Sequence, residues 1–200
     1  MIKKLSFIFG SKTKAQEIIY LLKDIKEVVR QGFYEEELPQ IEKYCNENNI
    51  HLVKSKFKVL LADEQNYTNK GIRVPEKDKR KGMKFVYFSK NEQKAWLAAY
   101  YELVANDQEL GLLLGYPKCC VECFCKKFNS QNTNLELKSE NVWTNLSKRK
   151  KDMVILSHFP CGSNCQESIN LAKKYFQTIE EVDTKHAQEL IKELDFSTSF

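Results

Sequence analysis

Apolar and polar residues change their spacing partway along this chain, and the change divides it into two halves. From the amino end, Leu5 to Phe9 form a short apolar run that predicts a β-strand. Gly10 and Ser11 predict a turn, and Ala15, Ile18, Ile19 and Leu22 then recur at helical spacing. A second helix is predicted over Glu35 to Asn49, acidic where it starts and ended by the Asn-rich NENN. From His51, HLVKSKFKVLLA alternates apolar and basic residues before turning wholly apolar, and KFVYF, Lys84 to Phe88, has strand character again. The polar stretch between them, Asp63 to Gly82, carries Gly71 and Pro75 and reads as a loop or long hairpin connection, the segment best suited to mobility.

After Phe88 the period is that of a helix. Ser89 with Glu92 three residues on makes a capping-box pattern, and AWLAAYYELVA continues as an apolar helix whose stop signal is Gly115 followed by Pro117. Trp96, Tyr100 and Tyr101 fall at helical spacing and are expected in the core. The remainder is mainly helical, with one short strand predicted over Met153 to Leu156. The fold class is therefore α+β: a small mixed sheet with helices over residues 1–90 and a mainly helical, cysteine-rich half over 91–200, packed as a single domain over 1–200.

Composition narrows the function. In 200 residues, 42% apolar content is enough for a core and argues against disorder. No apolar run approaches the roughly 18 residues of a membrane span. Two lysines precede an apolar run too short for a secretion signal, so the expected location is cytoplasmic, with no membrane partner. Thiols stay reduced there, and seven cysteines, an odd number, argue for metal or thiol chemistry over a disulfide framework. The net charge of +5 comes almost wholly from lysine, with arginine only at Arg30, Arg73, Arg80 and Arg149. The runs KSKFK at Lys54 and KRKK at Lys148 thus imply at most weak, salt-sensitive affinity for RNA. His51, on a strand, and His186, on a carboxy-terminal helix, read as surface residues, and no glycine-rich nucleotide loop or G-x-S-x-G is present.

The chemistry concentrates in GYPKCCVECFC, Gly115 to Cys125, and SHFPCGSNCQES, Ser157 to Ser168. If residues 119–128 are helical, Val121, Phe124, Cys125 and Phe128 share one face and Cys119, Cys120 and Cys123 another, so Cys125 is expected in the core. Cys123, four residues after Cys119, either joins a site or packs beside it, and Cys45 reads as filler. In the second stretch, Ser163 with Gln166 suggests a capping box, which places Cys165 in the first turn of a helix where the dipole favours a thiolate. Both stretches put a proline just before cysteines at a helix start. Convergence of the two would let Cys119, Cys120, Cys161 and Cys165 surround one ion, with His158 replacing a ligand or orienting one. Zinc and an iron-sulfur cluster both suit such donors.

These two stretches also resemble an uncharacterised, largely archaeal family, domain of unknown function 483, whose hallmark is YP-x-CC followed downstream by H-x-PC-x-x-x-C. The resemblance extends to KGIRVP and KFVYFSKNEQKAWLAAYYEL, most of the chain. It implies that Cys119, Cys120, His158, Cys161 and Cys165 are the family-like positions, while Cys123 and Cys125 lie outside the pattern. It implies no activity. Three functions follow from the residues: a metal-binding protein, with zinc first and an iron-sulfur cluster second; a thiol-disulfide oxidoreductase with Cys165 as nucleophile, Cys161 resolving and His158 moving the proton; or an accessory protein of RNA metabolism with a structural metal. A metal site requires sulfurs about 3 to 4 Å apart. A redox pair requires Cys161 and Cys165 to stand apart from Cys119 and Cys120.

Overall fold

The computed structural model describes residues 1–61, 71–135 and 138–194. Its first apolar run is a helix rather than the expected strand: α1, Ile2–Phe9, buries Ile2, Leu5 and Phe9 and leaves Phe7 73% exposed. Positions 2, 5 and 9 share one side of a helix, whereas a strand would bury alternate residues. A run this short fits either period, and packing decides. Gly10 closes α1 at φ +79°, a conformation glycine adopts without strain. Then α2, Lys12–Leu22, begins with the Ser11 hydroxyl accepting from the Lys14 N–H at 3.1 Å.

The chain continues through β1 (Val28–Phe33), α3 (Leu38–Glu47), β2 (His51–Lys54), β3 (Phe57–Leu61), β4 (Gly71–Pro75) and β5 (Lys84–Ser89). All pairing is antiparallel. Strand β5 lies between β1 and β2, with Val29 opposite Phe88 and Val53 opposite Tyr87, while β3 and β4 form a separate hairpin. The polar stretch Asp63 to Gly82, expected to be mobile, therefore contains a strand, and its residues 63–70 lie outside the described residues.

Alternation along the three-stranded sheet sends its two faces into two cores. Val29, Phe33, Val86 and Phe88 join α1, α2 and α3, with Phe9 edge-on to Phe88 at 6.0 Å. Val28, Val53 and Tyr87 pack under α4, Glu92–Leu103, through the small residues Ala95 and Ala98. The cap of α4 is Asn91, which accepts from the Lys94 N–H at 3.1 Å. Ser89, the expected cap, ends β5 and donates to the Glu27 carbonyl. Because alanines fill the buried side, Trp96 and Tyr100 turn outward and are over half exposed, not part of the core.

The predicted long helix after Ser89 is two helices. Ala105, at φ +55°, interrupts it, and Asn106 caps α5, Asp107–Leu113. Gly115 and Pro117 end this second helix and introduce α6, Lys118–Lys127. After a largely irregular stretch come α7, Gln166–Val182, and α8, Thr184–Leu194. Met153 to Leu156 is not a strand. Val154, Ile155 and Leu156 are nonetheless buried in the α1–α3 core, so their apolar character reflects burial without pairing. Ala172, Tyr175, Ile179 and Leu190 complete that core, with Tyr175 stacked on Tyr20 at 4.1 Å. His186 is buried, not at the surface, where its Nε2 lies 3.0 Å from the Gln16 side-chain oxygen.

Beneath this junction Lys26 and Glu17 form an ion pair at 2.5 Å with both side chains at most 3% exposed. Removing one partner strands the other charge in the interior. Lys26→Met is expected to lower stability by about 3–5 kcal/mol in urea unfolding, and adding Glu17→Leu should recover most of it. A double variant as unstable as the single one would show that the lysine acts by packing alone.

Candidate metal centre

The amino end of α6 is set from both sides. Pro117 occupies its N-cap, so Cys119 and Cys120 fall in the first turn. Val121 presses against Gly111 of α5, where an added Cβ would lie 2.8 Å from the valine methyl, so the two helices approach as closely as glycine permits. Cys120 is thereby buried and Cys119 left exposed.

The second stretch arrives from Val154 to Leu156. Their burial anchors the following loop, with His158 and Pro160 also buried and Cys161 half-buried. Helix α7 starts later than the capping-box pattern indicates. Cys165 itself is the N-cap, its carbonyl accepting from the Ile169 N–H at 2.9 Å, and the Ser163 carbonyl accepts from the Thr144 hydroxyl at 2.7 Å. Thus both helix starts present sulfur.

They meet. Cys119 Sγ lies 3.9 Å from Cys120 Sγ and 3.7 Å from Cys165 Sγ, and Cys120 Sγ lies 3.6 Å from Cys165 Sγ. With Cys161 the four sulfurs all fall within 4.8 Å of one another. Cys123 is not in this group. Its thiol points at the Cys161 carbonyl, 4.0 Å away, and lines a cavity of about 210 Å³ beside Phe124, Lys127 and Phe159. Cys125 is exposed rather than buried, because the buried side of α6 runs through Cys120 and Val121 instead. Cys45 belongs to the α1–α3 core.

His158 stands behind the sulfurs rather than among them. Its Nε2 lies 2.9 Å from the Ser168 hydroxyl, which in turn lies 3.1 Å from Cys120 Sγ. Ser168, fully buried on α7, was not singled out by motif reading. Its one sequence signal is a small hydroxyl residue three positions after Cys165, on a helix start that two cysteine motifs already mark. The Cys161 backbone N–H also donates to Cys120 Sγ, at 3.3 Å.

Burial and neighbours separate the ionisations. The Cys120 thiol is pushed well up, first by burial and further by Cys165, although Ser168 and the Cys161 N–H pull the other way. Cys161 is pushed up to about 12 by burial, then by Cys165 and Cys119. Burial also raises Cys165, but the approach of the Ser168 hydroxyl and backbone N–H, with Cys161 and Cys120, outweighs it and brings the thiol down to about 7. His158 is held down to about 3, by burial first and then by Lys26 and Arg149, so it is a neutral imidazole. Burial therefore favours the protonated form of a Cys120 sulfur that has the Ser168 hydroxyl and the Cys161 N–H beside it. A cation supplies a compensating positive charge, so the donor set fits a bound metal ion.

Fold and site together define a cysteine-rich α+β protein with a group of four thiols that could hold a metal ion. Residues 97–195, just under half of the chain, match the family model described as protein of unknown function, DUF483. The match takes in every cysteine of the group, whereas KGIRVP and the residues before Leu97 lie outside it. No curated protein and no solved structure matches the chain. Among the described residues no helix is long and apolar enough to cross a membrane.

In metal-free protein near pH 7, Cys165 should alkylate well ahead of Cys161, which is similarly exposed. The Cys165 rate should rise as pH passes through about 7 and level off above it, because only the thiolate reacts. Peptide mass spectrometry after brief iodoacetamide treatment measures this. Equal labelling of the two would contradict the assignment.

Proposed function

We propose that Cys119, Cys120, Cys161 and Cys165 form a closed single-ion tetrathiolate centre, that the ion is zinc, and that its role is to lock the start of α6 to the start of α7. The observation that carries this reading is the sulfur spacing. A tetrahedron built on bonds of about 2.3 Å has edges near 3.8 Å. The three edges of 3.6, 3.7 and 3.9 Å have that size. An iron-sulfur cluster puts its own iron and sulfide atoms between the thiolates and needs them farther apart, so all four within 4.8 Å favours one ion. Four protein ligands leave no open position, which favours a structural role over catalysis. His158 then orients rather than ligates.

A thiol-disulfide oxidoreductase is supported less well. Cys165 has Cys119 and Cys120 as close neighbours, so Cys161 and Cys165 are not an isolated pair. A role in RNA metabolism draws little from the surface, since Lys54 pairs with Glu42 at 2.8 Å, Lys58 donates to the Arg80 carbonyl at 2.9 Å, and Lys151 pairs with Glu193. A centre of this kind needs reduced thiols, in keeping with a cytoplasmic location.

Anaerobically purified protein is expected to carry about one zinc per chain and no visible absorption, and substitution with cobalt(II) should give the intense spectrum of tetrahedral thiolate ligation. Cys120→Ser and Cys165→Ser should lose the metal, while Cys123→Ser and Cys125→Ser retain it. Absence of metal from wild-type protein that still fails to take up cobalt would sink the reading.

Stripping the ion should also destabilise the protein. A ligand at a thousandfold excess over its Kd contributes about 4 kcal/mol. Because the α1–α3 core includes residues of α7 and α8, the loss should appear as a lower midpoint of one cooperative transition, followed by circular dichroism with and without chelator. Melting of a separate carboxy-terminal portion would contradict that coupling.

A further inference from the structure

The polar file behind the thiols has a direction, and that direction follows from one atom. His158 is buried, its Nε2 faces the Ser168 hydroxyl at 2.9 Å, and its Nδ1 has no hydrogen-bond partner among the described residues. A neutral imidazole carries its proton on one nitrogen only. If the proton were on Nδ1, a buried N–H would be left without an acceptor, the costlier kind of orphan. On Nε2 it finds the serine oxygen, and Nδ1 keeps only a bare lone pair. His158 is therefore the donor to Ser168.

The serine has a single proton, and His158 in this tautomer cannot accept it. Its hydrogen-bond partner among the sulfurs is Cys120 Sγ, at 3.1 Å, and the same hydroxyl also approaches Cys165. We propose that Ser168 is a positioning residue of the metal centre: His158 Nε2–H donates to Ser168 Oγ, and the Ser168 O–H donates to the Cys120 sulfur, holding it as a thiolate ligand. This rests on the single-ion reading above. No bond is made or broken along the file; each proton stays on its own heavy atom, and the two hydrogen bonds point the same way.

The placement explains why a hydroxyl sits at this position on the buried side of α7, among Ile169 and Ala172, where an apolar residue would otherwise be expected. Together with the Cys161 N–H at 3.3 Å, Ser168 gives Cys120 two donors. A thiolate with two donors stays anionic on the metal and resists dissociation, and such partners of a ligand commonly govern about 10- to 100-fold in affinity. Behind the histidine, the Tyr116 ring lies 5.1 Å from the imidazole, and Lys26 lies over that tyrosine at 5.0 Å. The ring is thus fixed by packing as well as by the serine. Cys119, exposed and among the described residues contacted at its sulfur by Cys120 and Cys165, is the ligand left to solvent.

The test uses full-length protein loaded with cobalt(II), whose thiolate-to-metal charge-transfer band reports the hydrogen bonding of the sulfur. Ser168→Ala should shift that band to lower energy and weaken metal retention against a chelator by about 10- to 100-fold, and Ser168→Thr, which keeps the hydroxyl, should restore both. A folded Ser168→Ala protein with unchanged band and affinity would overturn the proposal while leaving the metal reading intact. Failure of wild type to bind cobalt would instead refute the metal reading. Nitrogen-proton correlation spectra of the wild-type histidine side chains test the file even if Ser168→Ala does not fold. A proton on His158 Nε2 is the expected result, and a proton on Nδ1 would overturn the proposal with or without metal.

Discussion

Sulfur atoms this close repel one another as thiolates, and that constraint shapes the carboxy-terminal half of the protein. Two segments more than thirty residues apart deliver their cysteines to one place, and what lies between α6 and α7 has no regular structure beyond short 3-10 turns among the described residues. Helix periodicity alone cannot place such a stretch. It is held instead by the apolar side chains Val142, Leu146 and Val154 to Leu156 in the α1–α3 core, and at its two ends by the thiol group. A metal held there, as proposed, would act as a staple at a point where a small core has few other means of fixing a long connection.

Electrostatics runs through the same region. On the proposed reading, four thiolates on a divalent ion would leave net negative charge, and the thiols lie where that charge would be tolerated: at the starts of two helices, beside the Ser168 hydroxyl and the Cys161 backbone N–H. The buried pair Lys26–Glu17 and the Arg149 guanidinium stand nearby, and their positive ends help keep His158 neutral. A neutral histidine is what a directed hydrogen-bond file needs, since an imidazolium would leave a second N–H unmatched in the interior.

The family match starts within α4 and covers the helices that build the site, while the sheet and α1 to α3 lie outside it. Structurally the two regions are not independent. Tyr175 of α7 stacks on Tyr20 of α2, and the Asp152 carboxylate accepts from the Thr13 N–H at 2.9 Å. The amino-terminal half supplies the platform on which α7, and hence Cys165 and Ser168, is oriented.

The sequence by itself determined the parts of this protein that depend on local chemistry. Proline and glycine mark where α6 begins, cysteine pairs follow two prolines, and the apolar spacing of α2, α3, α4 and α7 is that of helices; each is set by residues within a turn or two. The strands from His51 and Lys84 were legible for the same reason. What depended on distant packing was not. Leu5 to Phe9 suits a strand or a helix until α2 and α3 cover one side of it. Met153 to Leu156 has strand composition but no neighbour to pair with, and Cys125 loses its place in the core because Gly111 draws Val121 and Cys120 inward instead. Only the tertiary structure selected Ser168, since a serine on a helix is unremarkable until a histidine ten residues earlier and a cysteine from another helix arrive on either side of its hydroxyl. Periodicity reports which face is buried; which atoms meet across that face is decided by the fold.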